Sequence, residues 1–396
     1  VTEDEDIMLI ANNGVIIINT KGGREGKIRI DVSSNITLET PLFTFDKQTV
    51  FGTEMTSKGP LLNGWGDLAS NYTDDQLAQY PYLTRNPKNQ INDFFKVGQT
   101  YNNSISLSGG TEHTTSYFSY GNTVQKGLLE RNKFIRHNIL FKETFNAFNN
   151  KLKIDLSLNY ITQRTENRPV IGKVFNPLTG LYRMPTAVDL RYFKQNVTHT
   201  ATADDDITTK GGANLIGQQI QTWPLSFAGQ AWINNPYFMQ QALDDEANRD
   251  RIMANVTAKY EIIKGLDLQA RVSLDKTMDR SFNYRQPSIW ADQNQYAFAN
   301  YYSGESSSRD IYSDYLLTYN KEFKNISFNA TLGTSFKRTK SSNTSITKWT
   351  DSTFVYPNMA WPSLGSNMSG NAKDILLSAN ASGVNTNWET AIFATA

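Results

Sequence analysis

The chain of 396 residues carries 39 Lys and Arg against 38 Asp and Glu, and this net charge of +1 lacks the basic excess that nucleic-acid binding requires. It contains no Cys and only three His, which excludes a disulfide scaffold and cysteine-ligated metal sites. No apolar run approaches the roughly 18 residues of a membrane-spanning helix, although strands that cross a membrane stay open by this criterion.

The first apolar run predicts a fully buried strand with a glycine-rich exit. Its residues are Asn13, Gly14, Val15, Ile16, Ile17 and Ile18, followed by Gly22 and Gly23. The acidic residues ahead of it, from Val1 to Asp6, are not the basic start of a signal peptide. We therefore expect the chain to be a segment of a longer protein.

Alternation of apolar and polar residues is the main signal in the rest of the chain. Apolar side chains occupy every second position over 152–160, 266–274 and 326–332, the period of a strand with one apolar face. The predicted strands cover 27–38, 101–110, 113–125, 132–147, 150–162, 250–262, 265–277, 310–323 and 325–338, with a tenth near Trp388. Many run about 9 to 13 residues, which suits a tilted strand that crosses a bilayer.

The connections between these strands alternate between short and long. The long connections are 39–100, 163–249, 278–309 and 339–387. Short turns at one rim and large loops at the other are typical of an up-and-down antiparallel barrel in an outer membrane. We therefore predict an all-β transmembrane barrel, present only in part. A soluble β-sandwich or propeller is the alternative, although there is no blade repeat of about 40 residues and sandwiches rarely tolerate such loops.

Four motifs, in order along the chain, resemble the SusC/RagA family of TonB-dependent transporters from Bacteroidetes. They are residues 12–23, similar to the end of the family's plug domain, 103–121, similar to a barrel hairpin, 125–136, similar to the stretch that follows it, and 232–237, with the pair Asn235-Pro236. Each motif alone is weak, but their order and spacing fit the family across the whole chain. The residues before Asn12 depart from the family's pattern.

The resemblance implies a division of the chain into two parts. Residues 1–26 would be the C-terminal end of the plug, and 27–396 the N-terminal part of the barrel, about ten of roughly 22 strands. The family's N-terminal regulatory-like domain, its TonB box and most of its plug have no counterpart among these residues.

The resemblance also implies a function, which is import across the outer membrane. The substrates would be oligosaccharides or peptides, TonB would supply energy through the region ahead of this segment, and a SusD-like surface lipoprotein would cover the extracellular loops. Outer-membrane lipid would contact the barrel. A soluble or surface-exposed glycan-binding β-module is the alternative, and detergent dependence of the purified protein would distinguish the two.

The aromatic residues of the long loops are the candidate substrate contacts. The candidates are Trp223, Trp232 and Trp290, whose flat rings could stack on sugars or peptide side chains. The alternative is that these rings pack the loops or lie in the interfacial girdle. We expect the loops 163–249 and 278–309 to fold over the barrel mouth and to meet both substrate and lipoprotein.

No motif in the sequence points to catalysis, a metal or a cofactor. The acidic runs 204–206 and 244–246 lack the glycine and the closing glutamate of a calcium loop, so we interpret them as solvated. Neither a phosphate-binding glycine loop nor a nucleophile elbow is present. We therefore expect a protein that is not an enzyme.

Overall fold

The computed structural model describes most of the chain. The described residues are 6–11, 14–19, 21–42, 46–57, 59–172, 175–205, 216–217, 219–224, 233–286, 290–292, 295–296, 299–323, 326–350 and 376–395. The strands are β1 (Asp6–Ala11), β2 (Gly14–Asn19), β3 (Gly26–Glu39), β4 (Met55–Thr56), β5 (Gly59–Pro60), β6 (Gly98–Gly110), β7 (Thr114–Lys126), β8 (Lys133–Ala147), β9 (Leu152–Glu166), β10 (Thr198–Thr200), β11 (Gln219–Gln221), β12 (Leu243–Ile263), β13 (Leu266–Arg285), β14 (Trp290–Asp292), β15 (Gln295–Tyr296), β16 (Ala299–Phe323), β17 (Ile326–Thr350) and β18 (Leu376–Thr395). The α-helices are α1 (Asp74–Gln79), α2 (Ile91–Phe94), α3 (Pro177–Arg183), α4 (Leu190–Gln195) and α5 (Pro236–Gln241).

Ten strands form one antiparallel sheet in which neighbours in space are neighbours along the chain. Its order is β18-β17-β16-β13-β12-β9-β8-β7-β6-β3. The edge strands β3 and β18 each pair on one side only, as far as the described residues extend. The predicted antiparallel up-and-down sheet of about ten strands is confirmed.

The predicted rhythm of short and long connections is also confirmed. The short turns at one rim are 111–113, 148–151 and 264–265, and β16 and β17 pair up to their adjacent ends at Phe323 and Ile326. In the turn between β12 and β13, Gly265 has a φ of +87°, and a Cβ there would lie 2.3 Å from the Asn320 carbonyl oxygen. Glycine is therefore required at this turn because only it combines the left-handed backbone with the close approach.

The strands extend further toward the other rim than the sequence pattern predicts. β13 continues to Arg285 and β16 begins at Ala299, so the predicted loop 278–309 is wrong in its bounds and the connection is 286–298. The alternation continues to the end of β13, through Met278, Phe282 and Tyr284, and that strand was ended too early in the prediction. At the start of β16 both strand faces are polar, for example at Ser306, Ser307 and Ser308. Backbone pairing continues without the alternation that signals it.

The predicted strand at the start of the chain is present as β2, but it has a partner that was not predicted. β1 and β2 form an antiparallel hairpin in which Ile7 lies opposite Ile18 and Met8 opposite Ile17. Asn13 lies outside the described residues. The assignment of 1–26 to a plug domain stays a prediction.

Between its two edge strands, the large sheet is apolar on its more exposed face and mostly polar on its more covered face, whereas the edge strand β3 is exposed on both faces. Asp314 is 1% exposed, whereas its neighbour Tyr315, on the opposite face of the same strand, is 45% exposed. Tyr117 is buried beside the exposed Phe118, and Leu332 is more than half exposed. This arrangement is the reverse of a water-soluble sheet, in which the apolar face is covered.

The exposed apolar residues form continuous rows across the sheet. One row runs in register over eight strands through Ile30, Leu107, Phe118, Phe141, Leu158, Ala254, Leu274 and Ile311. On β9 the apolar positions run from Leu152 to Tyr160, about 27 Å along the strand at roughly 3.4 Å per residue. At a tilt of about 40° this gives a band about 21 Å tall, close to the roughly 25 Å band of outer-membrane barrels.

The described helices are short and lie in the loops. None of them is long and apolar enough to cross a membrane.

Candidate functional site at the long-loop rim

The described residues of two long loops fold together into one unit, which we call the loop cap and define as the described residues within 40–97 and 167–242. The Gln90 side chain joins the two loops, since its Nε2 donates to the Val188 carbonyl at 2.9 Å and its Oε1 accepts from the Leu190 amide at 3.0 Å. Gln90 is itself buried. The two loops therefore form one folded element, which is held together inside by the hydrogen bonds of a buried side chain.

The loop cap has its own apolar core. Its buried residues are Leu62, Ala69, Tyr72, Tyr82, Leu83, Ile91, Phe94, Leu181, Met184, Ala187, Val188, Leu190, Phe193, Ala201, Ile220, Trp223, Ile233 and Tyr237. The Trp223 ring centroid lies 5.0 Å from that of Phe193, and Trp223 is 8% exposed. Burial in this core raises the pKa of Tyr82 above its ordinary value and that of Tyr237 to about 12. Both phenols are therefore neutral packing groups at neutral pH.

A second connection between the two loops is made by a lysine. The Lys47 Nζ donates to the Met184 carbonyl at 2.8 Å and to the Leu181 carbonyl at 3.4 Å. Burial lowers the pKa of Lys47 to about 8, because desolvation disfavours the ammonium form. The connection therefore consists of a cation held by backbone dipoles in a partly dry site.

The Asn-Pro motif noted in the sequence begins helix α5. The Asn235 Oδ1 accepts from the amides of Tyr237 at 2.9 Å and Phe238 at 3.4 Å, and Pro236 occupies the first helical turn, where it needs no amide hydrogen. The Asn235 Nδ2 also donates to the Thr222 carbonyl at 3.1 Å, and the residue is fully buried. The motif therefore fixes the helix to the core of the loop cap.

A pocket of about 460 Å³ lies where the loop cap meets the ends of the strands. It is lined by Leu129, Glu130, Asn167, Arg168, Pro169, Val170, Ile171, Phe175, Pro177, Met239, Gln240, Leu243, Asp245, Asn283 and Arg285. Leu243 and Asp245 begin β12, while Asn283 and Arg285 end β13, and the alternation of these strands places all four on the polar face. The pocket therefore opens toward the covered side of the sheet.

The pocket combines apolar surface with charges of both signs. The Arg285 guanidinium lies over the Phe175 ring, 4.8 Å from its centroid. The Arg168 Nε lies 3.2 Å from the Asp245 Oδ2. Met239 and Leu243 supply aliphatic surface beside these groups. Such a lining offers contacts to a ligand with mixed polar and apolar groups.

Ion pairs cross the polar face of the sheet below this pocket. They are Arg249 with Asp279, Arg251 with Asp275, Lys259 with Asp267 and Arg271 with Asp314. In the last pair both Arg271 hydrogen bonds go to the Asp314 Oδ2, at 2.6 and 2.9 Å. The ladder balances positive and negative charges along the polar face of the sheet.

The structure describes two of the three candidate tryptophans, Trp223 and Trp290. Trp223 packs in the core of the loop cap, Trp290 lies in the short strand β14, and Trp232 lies outside the described residues. Their role as substrate contacts stays a prediction.

The pocket residues Phe175 and Arg285 were not predicted. A sequence signal that could have found them is the pair of Asn-Pro motifs at 176–177 and 235–236, which begin the two helices beside the pocket.

The chain is similar to a TonB-dependent receptor and to the chains of a peptide importer. Over 322 residues it is 23% identical to the TonB-dependent receptor P3 of Formosa agariphila. The aligned region covers 78% of this chain and 27% of the receptor. Two structures of the RagAB peptide importer superpose on it. The closed-closed state gives a TM-score of 0.60 at 16% identity, over 96% of this chain and 41% of the importer chain. The open-open state gives 0.55 at 17% identity, over 97% and 41%.

The resemblance to the SusC/RagA family of TonB-dependent transporters is confirmed. The solved structures share the fold, which is that of part of the RagA barrel. The chain spans about a quarter of the length of the curated relative and about two fifths of the importer chains. No family model matches the chain.

Proposed function

We propose that this chain is the plug end and the first part of the barrel of an outer-membrane TonB-dependent importer. The observation that carries the proposal is the reversed sheet, in which Asp314 is covered while Tyr315 is exposed. An apolar surface that extends in register over eight strands needs lipid to cover it. A soluble glycan-binding module, the alternative, would leave this whole surface in water.

We propose further that the substrate is an oligosaccharide or a peptide, bound at the long-loop rim under a SusD-like lipoprotein and moved with energy from TonB. Peptides fit the pocket better. Its lining pairs Arg168 with Asp245, holds Arg285 beside Phe175, and adds aliphatic side chains. A neutral sugar uses few such charges, whereas peptides carry ionic termini and mixed side chains.

The test of this function is growth of the host organism on a defined peptide mixture or on oligosaccharides as sole nutrient. Val170→Trp in the full-length protein would fill the pocket without breaking an ion pair, and Leu42→Trp, at an exposed site away from the pocket lining, is the matched control. We expect peptide growth to fall for Val170→Trp alone. Loss of oligosaccharide growth alone would reassign the substrate, and unchanged growth on both, with deletion of the gene also harmless, would overturn the proposed import.

A further inference from the structure

Three cations lie directly opposite one another across three adjacent strands. Lys276 of β13 is in register with Arg309 of β16, and Arg309 is in register with Lys340 of β17. Directly opposed residues of an antiparallel pair leave the sheet on the same side, with Cβ atoms about 5 Å apart. All three positions alternate in step with the apolar residues Leu274 and Ile311, so the row lies on the exposed apolar face.

The height of this row within the sheet is fixed by the strand register. Lys276 lies opposite Ile252, and the row continues through Tyr160, Ile139 and Tyr120 on the strands beyond. The cations therefore occupy the level of the last apolar row on the side of the long loops. In a bilayer this level is where acyl chains end and head groups begin, as the tyrosines in the same row also indicate.

Within the described part of the chain, no carboxylate forms an ion pair with any of the three cations. The acids just above them on this face are otherwise engaged. Glu305 lies 3.4 Å from the Arg280 Nε, and Asp250 lies 4.0 Å from the Arg280 Nη1 and accepts from the Tyr160 hydroxyl at 3.0 Å. Like charges placed directly opposite each other destabilise a sheet. An anion from outside the described residues would offset their repulsion.

A fourth cation adjoins the row. Arg338 lies one row nearer the apolar band, and its guanidinium sits over the Trp388 ring, 4.6 Å from the centroid. Its Nε, in the described structure, makes no hydrogen bond. The aromatic face holds the guanidinium at the edge of the band, where its planar donors are directed toward the same region as the row.

We propose that Lys276, Arg309 and Lys340, together with Arg338, bind the phosphate groups of an anionic lipid in the leaflet on the side of the long loops. Guanidinium and ammonium groups at this spacing match phosphate oxygens, and the apolar rows below them accept the acyl chains of the same molecule. Because the cations lie directly beside the apolar rows, one molecule with both phosphates and acyl chains fits this surface better than a free ion. The proposal rests on the membrane location in the proposed function, but not on transport.

The test uses the full-length protein purified in detergent, with bound lipid counted by native mass spectrometry. The probes are diphosphorylated lipid A, the same lipid with its phosphates removed, and inorganic phosphate as a competitor. The test variant carries Lys276→Gln, Arg309→Gln and Lys340→Gln. The control variant carries Lys126→Gln, Lys151→Gln and Lys264→Gln, which remove the same charge from strand ends and turns.

We expect the wild type and the control to prefer the phosphorylated lipid by at least about tenfold, and the test variant to lose that preference. Inorganic phosphate at equal concentration should not displace the lipid. An unchanged preference in the test variant, no preference in the wild type, or displacement by inorganic phosphate would each overturn the lipid site. A protein that retains the lipid but imports nothing would overturn the proposed function alone.

Discussion

The side chain of Asp314 shows how the polar face is stabilised residue by residue. Its carboxylate is almost completely covered and accepts both hydrogen bonds of Arg271, whereas the carboxylate of Asp279 on the same face is 37% exposed beside Arg249. Burial strengthens a charge-assisted pair and makes the loss of one partner expensive. Two pairs of the same chemistry should therefore contribute unequally to stability.

Asp314→Ala should lower the free energy of unfolding by about 2 kcal/mol, since it leaves the half-buried Arg271 unpaired. Asp279→Ala should cost less than about 1 kcal/mol, because water solvates both members of that pair. Urea unfolding of the full-length protein from lipid vesicles measures both. Equal costs for the two variants would show that burial on this face has no energetic consequence.

The lysine between the two loops should make the stability of the loop cap depend on pH. Burial lowers the pKa of Lys47 to about 8 from its ordinary value near 10.5, so the unfolded chain binds more protons than the folded one between these values. The stability of the wild type should therefore rise relative to Lys47→Met as the pH is raised from about 7 to about 10. Protease resistance of the loop cap, measured across this range, checks the slope. If the stability difference between the wild type and Lys47→Met fell or stayed constant over this pH range, the lowered pKa of a desolvated Lys47 ammonium would be contradicted.

At the scale of elements, strand positions could be predicted near the short turns and not near the loops. The turn between β12 and β13 was correctly placed because apolar alternation from Leu266 continues to the turn itself. At the start of β16, residues 303–309 are polar or glycine on both faces and carry no period, so the beginning of that strand was placed too late. Helix α5 was missed because it is only six residues long and its four buried residues are consecutive, from Pro236 to Met239, rather than patterned along one face.

The candidate site, like the strands, could be predicted only in part from the sequence. The structure shows that much of the predicted loop 163–249 is folded, whereas most of the predicted loop 278–309 is strand. The pocket depends on residues far apart in sequence, such as Phe175 and Arg285, which meet only in the fold. Aromatic content directed attention to Trp223, which the structure places inside the core of the loop cap. Composition can identify a folded loop, but it does not tell which of its rings face outward.

The cap of helix α5 provides a test at this scale. Asn235→Ala removes two accepted hydrogen bonds at the helix start and a donated bond to Thr222 in a fully buried site, and should destabilise the loop cap by about 2 kcal/mol. Asn176→Ala is the matched control, because Asn176 begins α3 with one capping bond and should cost about 1 kcal/mol. Hydrogen exchange over residues 233–242 measures the difference. Equal protection in both variants would mean that α5 is held by its apolar contacts alone.

At the scale of the whole molecule, the sheet has two open edges and one apolar face. The edge strands β3 and β18 are not paired with each other in the described structure, so ten strands alone leave backbone groups that lipid cannot satisfy. We expect the 396 residues expressed alone not to form a closed barrel. The full-length protein should show heat-shifted mobility on a gel, and this chain alone should not. A heat-shifted band from this chain alone would contradict that expectation.

The most direct test of the account asks which face of the sheet meets lipid. The chain contains no Cys, so single cysteines can be placed at each position of 268–274 in β13 and spin-labelled. Collision rates are then measured with oxygen, which concentrates in lipid, and with a water-soluble nickel chelate. We predict alternation, with oxygen favoured at Leu268, Ala270, Val272 and Leu274 and nickel favoured at Gln269, Arg271 and Ser273. Uniform access to nickel along the strand, or alternation of the opposite phase, would contradict a barrel wall with its apolar face in the membrane.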